Sequence, residues 1–393
     1  MQDKAKSSGL GIIGWDLFEY VVEDLDKARR FYEEKMDVHG RARLDEKRAD
    51  RFGEDALLLS AGSTDFVCVS PKMAGCRADR WLKRHPEGVA VLALRVRDLD
   101  AARRTLEERA ATFTTPVIND VDADGGPYRH FEIASPLGDV RFRFTEHATA
   151  SRPPGFAPIE PPVQGNRYHL QVIDHVTSNL LTLKPYVDWL RDVMGFEEYW
   201  RIKFHTSDVK GRDDGSGLFS AVMWDPESKV KLANNEPLSP NYEASQIYTF
   251  VEDNRGPGVQ HIAFHLPDIV GAVDGMRRTG IRFLDTPGAY YDMLPGRLKE
   301  NKVTNFDEDM DVLRKLGILV DGADDRYLLQ IFSVEGRLLQ DSEQGGPFFY
   351  ELIQRKGARG FGGGNFRALF EAIERDQETR GVAAAKPNPW SGN

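Results

Sequence analysis

Residues 258–264 read Gly258-Val259-Gln260-His261-Ile262-Ala263-Phe264, and residues 88–94 read Gly88-Val89-Ala90-Val91-Leu92-Ala93-Leu94. The two runs superpose without a gap, and Asp98 and Asp268 follow at the same spacing as helix N-caps. A second pair behaves alike. Trp15-Asp16-Leu17-Phe18 leads into a helix ending near Met36-Asp37-Val38, and Ile173-Asp174-His175-Val176 into one ending near Met194-Gly195-Phe196, over stretches of equal length. More weakly, Phe131-Glu132-Ile133-Ala134-Ser135 parallels Leu329-Gln330-Ile331-Phe332-Ser333, and Arg141-Phe142-Arg143 parallels Phe349-Tyr350-Glu351. Self-similarity of this kind marks a duplicated fold.

Each copy reads as strand, helix, then several strands, with the strand–helix unit recurring inside it. Ile269, Ala272, Val273 and Met276 fall at i, i+3, i+4 and i+7 and predict one apolar helix face. Val259 to Leu266 and Phe348 to Ile353 are short runs bounded by Gly, Pro or Asp and predict strands. The expected class is α+β, with duplicated βαβββ modules curling into two half-open barrels whose concave faces make pockets. The boundary between the copies is SRPPGFAPIEPPVQGN, where five prolines (Pro153, Pro154, Pro158, Pro161, Pro162) remove backbone donors and favour an extended connector. This divides the chain into an N-terminal domain at 1–150, a linker at 151–166, a C-terminal domain at 167–356 and a Gly-rich hinge, helix and tail at 357–393.

Composition bounds the partners. A chain of 393 residues is long for a single core. With 52 basic and 62 acidic residues the net charge is −10, which disfavours general nucleic-acid binding and leaves a small molecule as the expected ligand. Cys68 and Cys76 form no CxxC motif, so a disulfide framework and a thiolate zinc site are not expected, and a reducing cytoplasm is the simplest home. The polar start, MQDKAKSSGL, is unlike a secretory leader, and no run of about 18 apolar residues suggests a membrane span.

The repeat shows where chemistry is concentrated. His175 stands against Leu17, His261 against Val91 and Glu351 against Arg143. Any one of these is an ordinary histidine or strand-edge carboxylate; together, at matched strand positions in one half only, they form the two-His, one-carboxylate set that holds Fe(II) on one octahedral face. Zinc stays open on donor type alone. His265 shares the side of His261 on a strand but stands where the other half has Arg95, so solvent exposure is expected; His205 is a minor alternative ligand, and His169 precedes the first strand. No His-x-Asp pair occurs, which disfavours the jelly-roll 2-oxoglutarate oxygenases.

These residues resemble the 4-hydroxyphenylpyruvate dioxygenase family of the vicinal oxygen chelate superfamily. The resemblance rests on Asp174-His175-Val176, on Gly258 to Ala263, on Tyr327-Leu328-Leu329-Gln330-Ile331-Phe332, on Phe349-Tyr350-Glu351-Leu352-Ile353-Gln354-Arg355 and on Gly360-Phe361-Gly362-Gly363-Gly364-Asn365-Phe366. It covers nearly all of residues 167–380, and only the fold pattern before them. It implies an Fe(II) enzyme whose partners are an aromatic 2-oxoacid and O2, with no nucleic acid and no membrane. The substrate's own pyruvate arm chelates the metal, and oxidative decarboxylation, ring hydroxylation and side-chain migration give homogentisate and CO2.

By the same resemblance Ser220, Asn235, Gln246 and Gln330 are catalytic-pocket residues that orient the substrate, and Phe332, Phe361, Phe349, Asn365 and Phe366 bind it. Ala233 departs from the pattern, since many relatives have proline there. Gly360 to Gly364 fails the GxGxxG phosphate pattern because Asn365 takes the last glycine position, and reads instead as a hinge that lets a final helix close over the pocket. The rival readings are 4-hydroxymandelate synthase, which oxidises the benzylic carbon of the same substrate, and a non-catalytic aromatic-ligand binding protein. The N-terminal half is expected to be metal-less and structural, and the family implies homo-oligomerisation through it.

Overall fold

The computed structural model describes residues 8–148, 152–163, 165–205, 217–239, 241–339, 343–361, 363 and 365. Four βαβββ units account for most of them. In the N-terminal half, β1 (Ile12–Val21) is followed by the helix Leu25–Arg30 and by β2 (His39–Leu44), β3 (Glu54–Ala61) and β4 (Thr64–Pro71). The unit repeats as β5 (Gly88–Val96), the helix Leu99–Glu108, β6 (Ile118–Val121), β7 (Pro127–Ala134) and β8 (Arg141–His147). The connector contributes β9 (Phe156–Pro158), which pairs with β2 at the sheet edge.

The C-terminal half repeats the plan. Here β10 (Val172–Asn179), the helix Lys184–Asp192, β11 (Glu197–His205), β12 (Gly217–Trp224) and β13 (Lys231–Pro237) form one unit. The other consists of β14 (Gly258–His265), the helix Ile269–Arg278, β15 (Leu319–Ala323), β16 (Arg326–Phe332) and β17 (Phe349–Lys356). Two helices, Gly288–Glu300 and Met310–Leu316, are inserted ahead of β15 without counterparts among the described residues of the N-terminal half. The sheet orders are β6-β7-β8-β5-β1-β4-β3-β2-β9 and β11-β12-β13-β10-β14-β17-β16-β15, so β1 against β5 and β10 against β14 form equivalent antiparallel seams.

Local chemistry explains the elements. Asp98 and Asp268 accept from the amides of Ala101 and Gly271 at 2.8 and 2.9 Å, as N-caps should. Ile269, Ala272, Val273 and Met276 are buried on one helix face. Strands β5 and β14 at the seams are buried along their length save for the half-buried Arg95 and His265, because helices cover one face and the curled sheet closes over the other.

Ladder register equates the two halves residue by residue. Glu19 lies opposite Val91 and Thr177 opposite His261; Ala93 lies beside Arg143 and Ala263 beside Glu351. Leu17, Val91 and Arg143 therefore occupy the places of His175, His261 and Glu351. The weaker match needs a shift of two residues: Glu132 pairs with Arg143 and Phe332 with Glu351, so Glu132 corresponds to Phe332 and not to Gln330.

The halves share one continuous apolar core. Tyr32 and Tyr350 hydroxyls meet at 2.7 Å, and the rings of Tyr20 and Phe348 lie 5.1 Å apart. The N-terminal half thus backs the strand that carries Glu351. At Gly138, φ is +56° and a Cβ would sit 2.5 Å from the Pro257 carbonyl oxygen, so only glycine permits this approach of one half to the other. None of the described helices is long and apolar enough to cross a membrane.

Candidate metal centre

Three adjacent strands, β10, β14 and β17, each turn one polar side chain to the concave face. His175, His261 and Glu351 are 4%, 3% and 1% exposed, and their donor atoms all lie within 4.8 Å of one another. Nε2 of each imidazole is 3.2 Å from Glu351 Oε2. Among the described residues this is the group of His, Cys, Asp and Glu side chains disposed to hold a metal.

Each ligand is oriented from behind. His175 Nδ1 meets Asp174 Oδ1 at 2.9 Å, and His261 Nδ1 meets Gln260 Oε1 at 3.0 Å. An imidazole with Nδ1–H donated to oxygen presents its Nε2 lone pair forward, the arrangement that metal-binding histidines require. Gln260 is itself held, its amide donating to Gln246 Oε1 at 3.3 Å. The Gln330 amide donates to Glu351 Oε1 at 3.2 Å, leaving Oε2 to face the imidazoles. Asn365, fully buried, stands 3.1 Å from the Gln330 amide and 2.7 Å from Tyr290 Oη.

Electrostatics follow this wiring. Burial pushes the His175 imidazole down, but the Glu351 and Asp174 carboxylates outweigh it and raise its pKa. For His261 burial prevails and the pKa falls. Burial raises the Glu351 carboxyl, yet the two imidazoles bring it below its ordinary value. Asp174 is held well below the carboxylate range: burial opposes ionisation, and hydrogen bonds from Arg355 and His175 overcome it. Without compensation a carboxylate this deeply buried is costly, so the donor set and its surroundings fit a cation between the three side chains.

Aromatic rings enclose the triad. Phe349 stacks on His261 at 4.9 Å, Phe332 meets its edge at 6.0 Å, and Phe361 approaches His175 at 4.9 Å. Farther along the concave face Ser220 on β12 lies opposite Asn235 on β13, and they are 0% and 2% exposed. Among the described residues the Ser220 hydroxyl and the Asn235 side-chain oxygen find no hydrogen-bond partner, while Asn235 Nδ2 donates to Asn179 Oδ1 at 3.0 Å. Ala233, the departure noted above, is fully buried in a cluster with Val222 and Phe361.

Gln246 opens the helix Gln246–Asp253, capped by Ser245, and reaches His261 through Gln260. His265 and His205 do not join the metal-disposed group; His265 instead pairs its Nδ1 with Gln171 Oε1 at 3.0 Å. Phe366, Gly362, Gly364 and the final helix lie outside the described residues. Sequence reasoning assigned no role to Asp174, Gln260 or Arg355. The available signal was an acid or amide placed immediately before each ligand histidine.

The chain matches the Glyoxalase/Bleomycin resistance protein/Dioxygenase superfamily over residues 18–128 and again over 172–293. It is 35% identical over 316 residues to a 4-hydroxyphenylpyruvate dioxygenase of Caenorhabditis briggsae, covering 76% of this chain and 75% of that one. To a Legionella pneumophila 4-hydroxyphenylpyruvate dioxygenase it is 34% identical over 340 residues, covering 84% and 86%. Among solved structures, a triple mutant of 4-hydroxymandelate synthase from Streptomyces coelicolor superposes with a TM-score of 0.78 at 24% identity, covering 93% of this chain and 99% of that one. The Mn(II)-bound glyoxalase from Novosphingobium aromaticivorans has a TM-score of 0.51 at 13% identity, covering 87% and 82%. These two likenesses are of fold.

Proposed function

The chain belongs to the 4-hydroxyphenylpyruvate dioxygenase family, and we propose that it converts 4-hydroxyphenylpyruvate and O2 to homogentisate and CO2 with one Fe(II) held by His175, His261 and Glu351. The observation that carries this reading is the convergence of two Nε2 atoms and one carboxylate oxygen, all buried, from three neighbouring strands. Two imidazoles and one carboxylate are a donor set suited to Fe(II), and a metal held by them would keep positions open for a chelating 2-oxoacid and O2. When bound there, the iron supplies the electrons and the activation of O2.

The protein's part is placement. Asp174 and Gln260 fix both imidazoles, and Gln330 fixes the carboxylate. Phe332, Phe349 and Phe361 exclude water from the triad and offer faces and edges to the substrate ring. Ser220 and Asn235, buried with hydrogen-bonding capacity to spare, suit the polar far end of an aromatic substrate. Gln246, through Gln260, and Asn365, through Gln330, support ligand-side groups; the role of Phe366 rests on the family resemblance. The buried, unpaired Cys68 and Cys76 support a reducing compartment.

Single-turnover product analysis tests this. The Fe(II)-loaded protein is mixed anaerobically with 4-hydroxyphenylpyruvate and then exposed to air. Homogentisate and CO2 in equal amounts are expected. The isomeric 4-hydroxymandelate would move the assignment to benzylic oxidation, and substrate binding without O2 consumption would leave a binding protein.

A further inference from the structure

One side chain outside the triad touches both a ligand's support and the pocket wall. Arg355 leaves β17 four residues after Glu351, and its guanidinium is engaged on two edges. Nε and Nη2 donate to the two oxygens of Asp174 at 2.6 and 2.7 Å, and Nη1 donates to the carbonyls of Ala358 and Gly360 at 3.2 and 2.7 Å. Asp174 Oδ1 also meets His175 Nδ1. The turn ending at Gly360 delivers Phe361, whose ring centre is 4.9 Å from that of His175 and 6.0 Å from Arg355 Cζ. The same ring packs near Tyr199 and Trp200, and Tyr199 Oη donates to the Arg359 carbonyl at 2.6 Å.

The duplication separates what is inherited from what is added. The ladder registers that equate Leu17 with His175 and Arg143 with Glu351 also equate Asp16 with Asp174 and His147 with Arg355. In the N-terminal half His147 Nε2 meets Asp16 Oδ1 at 2.8 Å. An acid–cation bridge across the middle strand is therefore common to both sheets and needs no catalytic explanation. Two features belong to the C-terminal half. A histidine takes the acid's other side, where Thr145 stands in the N-terminal half, and the cation's other edge holds two carbonyls of the loop that leads to Phe361, where His147 Nδ1 meets the carbonyl of its own neighbour Ala148 at 2.7 Å. Gripping both oxygens of the acid while holding two carbonyls takes the planar, multi-donor fork of a guanidinium; an ammonium in the same place lacks that geometry.

We propose that Arg355 is a positioning residue that couples the seating of Phe361 to the orientation of His175, so that the pocket wall and a metal ligand are set together. The proposal rests on the metal reading of the triad. If Arg355 is lost, the Asp174 carboxylate is free to rotate away from His175, and the Ala358 and Gly360 carbonyls turn to water, releasing the backbone that carries Phe361. Groups that orient a ligand histidine are typically worth about 10–100-fold in metal affinity.

The test uses the full chain and Co(II) as the probe, with affinity from chelator competition and backbone protection of residues 356–361 from hydrogen exchange. Arg355→Gln is expected to weaken Co(II) binding by about 10–100-fold and to accelerate exchange across 356–361 by about tenfold. Arg355→Lys keeps the charge and can still reach Asp174, yet is expected to lose about fivefold or more in affinity and the same loop protection. If Arg355→Gln does not fold, Arg355→Lys decides. His147→Gln, which breaks the matching bridge in the other half, should leave Co(II) affinity within about twofold. The coupling is overturned if a folded Arg355 variant retains both affinity and loop protection, if only one of the two changes, or if His147→Gln weakens Co(II) as much. If the native chain itself binds no Co(II), it is the metal reading that fails.

Discussion

Substituting Arg143 with methionine probes how the N-terminal half closes the place where the other half holds its triad. Arg143 stands in the position of Glu351 and bridges two buried carboxylates, Glu19 at 2.5 Å and Glu132 at 2.6 Å; Arg77 supplies a second cation to Glu19 at 2.6 Å. Glu19 and Glu132 are each 6% exposed. Burial raises the Glu19 carboxyl, but Arg143 and Arg77 more than reverse this and hold it at about 2, against an ordinary 4.5. That depression corresponds to about 3 kcal/mol of stability, present above pH 4.5 and lost as the pH falls toward 2. Arg143→Met preserves bulk while leaving two carboxylates short of a partner, so a loss of about 3–5 kcal/mol at pH 7 is expected. In the variant Glu19 keeps Arg77 and Glu132 keeps Arg141 at 3.1 Å, so burial is only partly compensated and both carboxyls rise from where the intact ion-pair network holds them; protonation then relieves the variant sooner than the wild type, and the deficit shrinks as the pH is lowered from 7 to 4. Urea unfolding followed by circular dichroism at both pH values measures this. A deficit below about 1 kcal/mol at pH 7, or one that grows on acidification, would refute the view that ion pairs replace the metal in this half.

Phe361→Ala removes a buried ring that packs on Val222, Ala233 and the His175 imidazole. It should lower unfolding stability by about 3 kcal/mol, the low end for a buried phenylalanine because one face borders the pocket, and should weaken binding of the aromatic substrate in a direct titration. Tyr350→Phe deletes one partner of the 2.7 Å hydroxyl pair between the halves. A cost of about 1–2 kcal/mol in urea unfolding is expected, and adding Tyr32→Phe should cost less than the sum of the single changes, since the orphaned hydroxyl is then gone.

Much of this architecture was legible because duplication supplies its own control. The pairs Leu17 and His175, Val91 and His261, and Arg143 and Glu351 sit on strands whose apolar flanks repeat, so a comparison of halves exposes the three polar replacements. The match of Phe131 to Ser135 with Leu329 to Ser333 slipped by two residues because β-strands alternate with period two, and a two-residue shift preserves every inward and outward position. Only the ladder partners of Arg143 and Glu351 fix it. The inserted helices Gly288–Glu300 and Met310–Leu316 had no repeat to reveal them. The supports of the triad were hidden for another reason. Asp174 and Gln260 neighbour the ligands in sequence, but Arg355 meets Asp174 from a strand 181 residues away, and a long-range pair of this kind leaves no periodic trace.

The account turns on a metal bound in one half of a duplicated chain, and iron stoichiometry addresses it most directly. After anaerobic loading and desalting, the wild-type protein should carry one Fe(II) per chain, and folded Glu351→Ala protein should carry none. Retention of iron by that variant, or two irons per wild-type chain, would contradict the assignment of a single centre to His175, His261 and Glu351.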